Sequence, residues 1–479
     1  MTDGDFGLLS PVSASSAVAA LTDDRAVIAA ILRVEASWAA VLEGAGLVPA
    51  GSAAVVAEAA HGDSYDVASV AERAQGGANP VIPLLGDLRA RVKELDTSGI
   101  GAGKAVHTSL TSQDVLDSAL MLLASRTVSA LLVDVKGTTT ALATLAEQHA
   151  DTLCVGRSLT QHALPYTFGL KAAQWFHGVA AAAARLESLE LPVQFGGAGG
   201  TLASGTKLTA GSDSTPFTLA DSLAAELGLA PVPAPWHTNR LAVTALGDGL
   251  AALIDSFGKI AADLLFLSRP EVGELGEPLA AGRGVSSAMP QKQNPVLSVL
   301  IRSAALQAPA LAAQLHLAAA TFNDERPDGA WHSEWPALRH LLALALGAAG
   351  HLRELTEGLR LFPEAMRRNL EISGPLLLSE GVAAAVAPLL GEDGKQKLQA
   401  VVDETLKAPV AEQSRIYTKL LRETVPADKV SDATLEELLD PASYLGEASE
   451  ISRRILDAYP DFTAPATNTG ISTKGATRG

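Results

Sequence analysis

Cysteine is nearly absent from these 479 residues, where Cys154 stands alone. One thiol excludes an intrachain disulfide framework and any cysteine-cluster metal site, and it suits a reducing cytoplasm. Aromatic residues make up only 4% of the chain, so alanine and leucine have to fill its core. Cations are scarce as well: 36 lysines and arginines stand against 53 acidic residues, a formal net charge of -17. Phosphate binding needs clustered cations, which excludes nucleic acid as a bulk partner. A small anionic substrate is still admissible, because helix N-termini and a few local cations can focus a field inside a cleft. The opening residues MTDGDFGLLSPVSASSAVAA carry no basic leader ahead of an apolar core, and no signal peptide is expected. No uninterrupted apolar run has membrane-type flanks, so no membrane partner is expected either. His149, His316, His340 and His351 lack metal-ligand spacing such as H-E-x-x-H, and no metal is expected.

What the chain does have is apolar helix. With 48% hydrophobic residues it can fill more than one domain, and these residues recur at helical rather than alternating spacing. The expected fold is all-α. Val27, Ile31, Val34, Trp38 and Leu42 trace an amphipathic helix from Thr22 to Glu43, ended by Gly44-Ala45-Gly46. Shorter helices over 53–60, 66–74 and 81–95 complete an N-terminal domain, 1–106. Long helices are read from 107 to about 150, and over 165–189, 239–267, 295–320 and 334–359. Several are apolar around most of their circumference, as in IRSAALQAPALAAQLHLAAA, and must be buried on nearly all sides. They imply a central helical-bundle domain, 107–360, with excess apolar surface for packing between subunits. A C-terminal helical domain spans 361–462, and the composition of 463–479 reads as a disordered tail. The Gly-rich stretch LPVQFGGAGGTLASG lacks G-x-G-x-x-G and G-K-[ST], so it is read as a flexible turn or small hairpin, and no cofactor is expected.

Chemistry-bearing residues gather in a few polar clusters. The segment GVSSAMPQKQNP, Gly284 to Pro295, is rich in small and polar residues and should form a mobile loop. Ser286 and Ser287 could transfer a proton there, while Lys292 and Asn294 could hold an anion or a developing enolate. HTSLTSQD, His107 to Asp114, precedes a strongly helical run; its hydroxyls read as caps, and such a helix start also offers backbone N–H groups to a carboxylate. GRSLTQHALPYTFGLK follows from Gly156 to Lys171, and a Trp-rich segment surrounds His332.

The Gly284 loop resembles the signature G-S-S-x-M-P-x-K-x-N-P of the fumarase/aspartase superfamily, with Val285 where the family has Gly. The T-S-x-D of Thr111 to Asp114 resembles that family's first region, and Gly156-Arg157-Ser158 with Gln161 resembles its second. His107 stands four residues before Thr111, as a histidine does in adenylosuccinate lyases and carboxymuconate cycloisomerases. The resemblance runs from about residue 20 to 460. It implies a three-domain fold whose long-helix bundle assembles into a homotetramer with shared active sites, acting on a small tricarboxylate substrate. Ser286 and Lys292 are the implied catalytic residues. The implied substrate-binding set is His107, Thr111, Ser112, Gln113, Arg157, Ser158, Gln161, Ser287, Met289, Asn294, Arg326 and His332.

Fumarases and adenylosuccinate lyases carry a histidine immediately after the Thr that Ser158 replaces, whereas this chain has Leu159. A leaving hydroxide or amine profits from a general acid, but a leaving carboxylate, with a pKa of about 4, needs no proton. Leucine therefore fits carboxylate departure or, in reverse, lactone closure. That is the chemistry of the 3-carboxy-cis,cis-muconate cycloisomerase branch, which PWHTNR at 235–240, the segment from Glu325 to Trp335 and LLDPASYLGEASEISRRIL at 438–456 also resemble. The rival readings are an adenylosuccinate lyase-like C–N lyase and a catalytically silent relative. A hydrolase nucleophile elbow at Ser286 is disfavoured, because Ala288 stands where G-x-S-x-G ends and no strand precedes it.

Overall fold

The computed structural model describes residues 7–464 apart from 287 and 290. Ser287 and the tail beyond 464 lie outside the described residues. Helix dominates. Helix α1, Asp24–Gly44, starts where the Asp23 carboxylate accepts from the Ala26 N–H at 2.8 Å and stops before Gly46, whose φ is +69°. Its inner face buries Ile28, Ile31, Leu32, Trp38 and Leu42, so Ile28 takes the inward place expected of Val27. Burying each such aliphatic or aromatic side chain contributes about 1.5–3 kcal/mol. The remaining long helices are α2, Ser112–Gln148; α3, Phe168–Glu187; α4, Leu241–Leu267; α5, Val296–Ala320; and α6, Gly329–Glu357.

Strands among the described residues are confined to two two-stranded ladders. Strands β1, Leu153–Ser158, and β2, Gln161–Thr167, pair antiparallel, with a register shift between Gly156 and Arg157. This hairpin corrects one expectation. The long helix expected from 165 begins at Phe168, because Pro165 and its neighbours extend opposite Val155. Of the turn and the small hairpin expected in the Gly-rich stretch around 191–205, the turn forms: Gly197 and Gly200 take positive φ and lead the chain toward a short helix, Ala203–Thr209.

By packing, the chain divides into two compact units, each discontinuous in sequence. One comprises Met1–Asp134, Ala182–Gly258 and Leu300–His351; the other comprises Val135–Ala181, Lys259–Val299 and Leu352–Gly479. In the second unit, Leu378, Val382, Val386, Leu398, Tyr417 and Leu421 form a C-terminal core. Three stretches, Ser112–Gln148, Val296–Ala320 and Pro363–Leu390, are long and apolar enough by composition to cross a membrane. In the first of them, 61% of the most apolar window is already buried within the protein. Helix α5 instead leaves Val299, Leu306 and Leu317 exposed.

Candidate active site

In the first unit the site is built at the N-terminus of α2. Thr111 precedes the helix, and the Asp114 carboxylate reaches back to accept from the Thr111 N–H at 2.9 Å, as a T-x-x-D start dictates. Asp114 also accepts from the N–H groups of Gly196 and Gly197 at 2.9 and 3.0 Å and from His237 Nε2 at 2.7 Å. Fully buried, it ties three loop segments to one helix start. One turn further, Asp117 accepts both Arg240 Nη atoms at 2.8 and 3.0 Å and the Trp331 indole N–H at 2.9 Å. The same guanidinium contacts Glu334 at 2.7 Å and lies over the rings of Trp236 and Phe322. Burial works against the Arg240 charge, but the two carboxylates outweigh it and hold its pKa above the ordinary value. Gln113 belongs to this interior, its amide donating to the His237 carbonyl at 2.9 Å.

Around that support lie groups that can meet a ligand. Ser112 opens the helix, whose free N–H groups favour an anion. Arg326 donates to Thr111 Oγ1 at 2.9 Å, and His107 Nδ1 meets Glu35 Oε1 at 2.7 Å. His332 is held through Nδ1 at the Asp328 carbonyl, its ring centroid 4.6 Å from that of Trp335. Trp331 is buried in the core.

The second unit holds the hairpin and the signature loop. At the hairpin tip Leu159 and Thr160 have φ of +50° and +70°, and Leu159 is 93% exposed. Consecutive positive φ values make a tight primed turn that side chains with a Cβ enter at a cost of about 1–3 kcal/mol each. Ser158 and Gln161 flank the tip and are exposed. Arg157 faces elsewhere: both its Nη atoms bond the buried Glu274 carboxylate, at 2.5 and 3.2 Å, and Asn369 completes that carboxylate's shell. Its guanidinium thereby anchors the end of β1 next to the hairpin tip. His162 Nδ1 meets Ser373 Oγ at 3.0 Å, and burial followed by the Arg157 charge lowers its pKa.

The signature loop is pinned at its ends. Asn294 donates its backbone and side-chain N–H groups to the Gly284 carbonyl at 2.9 and 3.1 Å, and Val285 bridges Gln293. Gly284, not residue 285, carries the positive φ of +67°, and a Cβ there would lie 2.5 Å from the Asn294 carbonyl oxygen. The Val285 substitution thus leaves the turn to Gly284 while Val285 joins a β-bridge that suits a branched residue. Beyond the loop, the Glu277 carboxylate caps α5, accepting from the N–H groups of Leu297 and Ser298 at 3.1 and 2.7 Å. Ser286 Oγ accepts from the Ala288 and Met289 N–H groups at 3.4 and 3.1 Å. Such donors favour the alkoxide over the alcohol. Met289 and Lys292 are exposed, and among the described residues the Lys292 ammonium has no hydrogen-bonding or ionic partner.

Sequence reasoning passed over Glu35 and Asp117 and gave His237, Arg240 and Glu334 no role of their own. PWHTNR and the Trp331 segment had been singled out, yet nothing in their spacing reveals that Arg240 and Glu334 converge on Asp117.

Comparison with known proteins gives consistent results. The family model described as Lyase matches residues 19–309. Nitrosuccinate lyase from Streptomyces davaonensis is 41% identical over 464 residues, 96% of each chain. The 3-carboxy-cis,cis-muconate cycloisomerase of Bradyrhizobium diazoefficiens is 36% identical over 455 residues, 94% of this chain and 98% of that protein. Among solved structures, the 3-carboxy-cis,cis-muconate lactonizing enzyme from Pseudomonas putida has a TM-score of 0.84 at 32% identity, covering 96% of this chain and 100% of that one.

Proposed function

From the premise that this chain belongs to the lyase family of the fumarase/aspartase superfamily, we propose that it is a 3-carboxy-cis,cis-muconate cycloisomerase. In this reading a substrate carboxylate adds across a double bond to close 4-carboxymuconolactone, and a proton is delivered to the adjacent carbon; the reverse is an elimination with carboxylate as leaving group. The observation that carries it is Leu159, an exposed apolar residue at the hairpin tip where a general-acid histidine would serve a basic leaving group. Ser286 delivers the proton, its alkoxide stabilised by the Ala288 and Met289 N–H groups and by the Lys292 charge. Thr111, Ser112 and Arg326 at the start of α2, with Ser158, Gln161 and Asn294, hold the carboxylates. The exposed apolar face of α5 supports assembly of a homotetramer in which subunits share sites.

A second reading has its own support in the similarity to nitrosuccinate lyase along nearly the whole chain. Nitrite is also a weakly basic leaving group, and its expulsion from nitrosuccinate gives fumarate with no general acid required. Purified protein is to be given 3-carboxy-cis,cis-muconate, nitrosuccinate and adenylosuccinate in parallel. Loss of diene absorbance in the first supports the cycloisomerase, nitrite release in the second the alternative. Fumarate from adenylosuccinate alone would overturn the leaving-group argument behind both.

A further inference from the structure

The loop entering α2 is held in an unfavourable conformation around one histidine. His107 and Ser109 have φ of +61° and +65°, and side chains with a Cβ occupy that region at a cost of about 1–3 kcal/mol each. Other groups hold the strain in place. The Trp38 indole N–H donates to the Thr108 carbonyl at 2.8 Å, and Ser204 Oγ donates to the Ser109 carbonyl at 3.2 Å. The product of this arrangement is the 2.7 Å contact between His107 Nδ1 and Glu35 Oε1.

Glu35 is an unusual residue for its position. It lies on the inner face of α1 between Leu32 and Trp38 and has no solvent exposure, and among the described residues its Oε2 has no hydrogen-bond partner. A carboxylate buried with one bond costs stability that a leucine there would not. Among the described residues its one polar contact is the imidazole, whose other nitrogen, Nε2, bonds nothing there. The His107 side chain is 14% exposed and lies five residues before the start of α2, where Arg326 donates to Thr111.

We infer that Glu35 is a positioning residue for carboxylate recognition. Its buried carboxylate accepts from Nδ1–H of His107 and so fixes the orientation of the ring, leaving Nε2 as the nitrogen turned to a polycarboxylate ligand bound at the N-terminus of α2. The inference rests on the proposed function only for its ligand class, a polycarboxylate.

The test uses the full-length protein and two readouts. One is the affinity for tricarballylate, an unreactive tricarboxylate, by titration calorimetry; the other is KM and kcat for whichever substrate turns over. Glu35→Met, which fills the space without an acceptor, should raise Kd and KM about tenfold with kcat little changed. Glu35→Gln should recover most of that loss, since its amide oxygen still accepts from Nδ1. In a His107→Ala background Glu35→Met should add nothing, because the two residues act as one. Glu35→Ala replaces the methionine variant if that one does not fold. Wild-type affinity and KM in the Met or Ala variant, or losses that add fully to those of His107→Ala, would overturn the assignment. Glu35-dependent binding of tricarballylate without turnover of any substrate would sink the proposed reaction and leave this role standing. Turnover indifferent to Glu35 would do the reverse, and a wild-type protein that neither binds nor reacts overturns both.

Discussion

The Arg240 network of the first unit and the Ser286 loop of the second are built on opposite principles. Around Arg240 every charged group is buried and paired: Asp117 and Glu334 share one guanidinium, which two aromatic rings enclose. Around Ser286 the chain is exposed, fastened at Gly284 and Asn294 and carrying a lysine with no partner among the described residues. The groups proposed to hold the ligand at the start of α2 thus stand on buried, paired support, while the proposed proton-transfer group lies on a loop whose Met289 and Lys292 are exposed. Precise placement matters most for the carboxylates of the substrate; the group that exchanges a proton must also admit and release it.

The sharpest way to separate the two regions is to remove Ser286. Ser286→Ala should lower turnover by about 10³–10⁴-fold while leaving the melting temperature unchanged, since among the described residues its Oγ bonds only two N–H groups of its own loop. A matching loss of stability would make the serine a structural cap instead. Arg240→Met should do the opposite, costing about 3–5 kcal/mol in urea unfolding because two buried carboxylates lose their counter-charge. Unchanged stability there would dissolve the contrast. Val285→Gly should cost less than about 1 kcal/mol and leave turnover nearly intact, because the residue that needs positive φ is Gly284; a large gain in rate would show that valine restrains the loop.

The smallest effect concerns pH. Burial lowers the pKa values of His149 and His162 in the second unit. Between each lowered folded value and the ordinary value of about 6.5 the unfolded chain binds a proton that the folded one does not. Their contribution to stability is therefore complete above the ordinary value and is lost as pH falls through that window toward the folded value. Thermal melts should decline on acidification, and His162→Gln should flatten the decline; an unaltered slope would remove His162 from the account.

Much of this was legible in the sequence, and what was not has a physical cause. Helical periodicity places α1 and the long helices to within a few residues, and Thr111 with Asp114 announces the start of α2 by local capping alone. The hairpin at 153–167 was missed because its strands are short and its turn holds Leu159 and Thr160 in place of the Asn-Gly that marks a primed turn. Arg157 was expected to face the substrate, but Glu274, more than a hundred residues later, engages both its Nη atoms. Convergence of Arg240 and Glu334 on Asp117 is tertiary in origin, and no periodicity encodes it.

The central claim is that a site with leucine at 159 handles a leaving group that needs no proton. Its most direct test is a proton NMR time course of 3-carboxy-cis,cis-muconate with the purified protein in deuterium oxide. Carboxymuconolactone carrying one solvent-derived deuterium beside a carboxylate is the predicted result. Unchanged muconate, in a preparation that releases fumarate from adenylosuccinate, would contradict it.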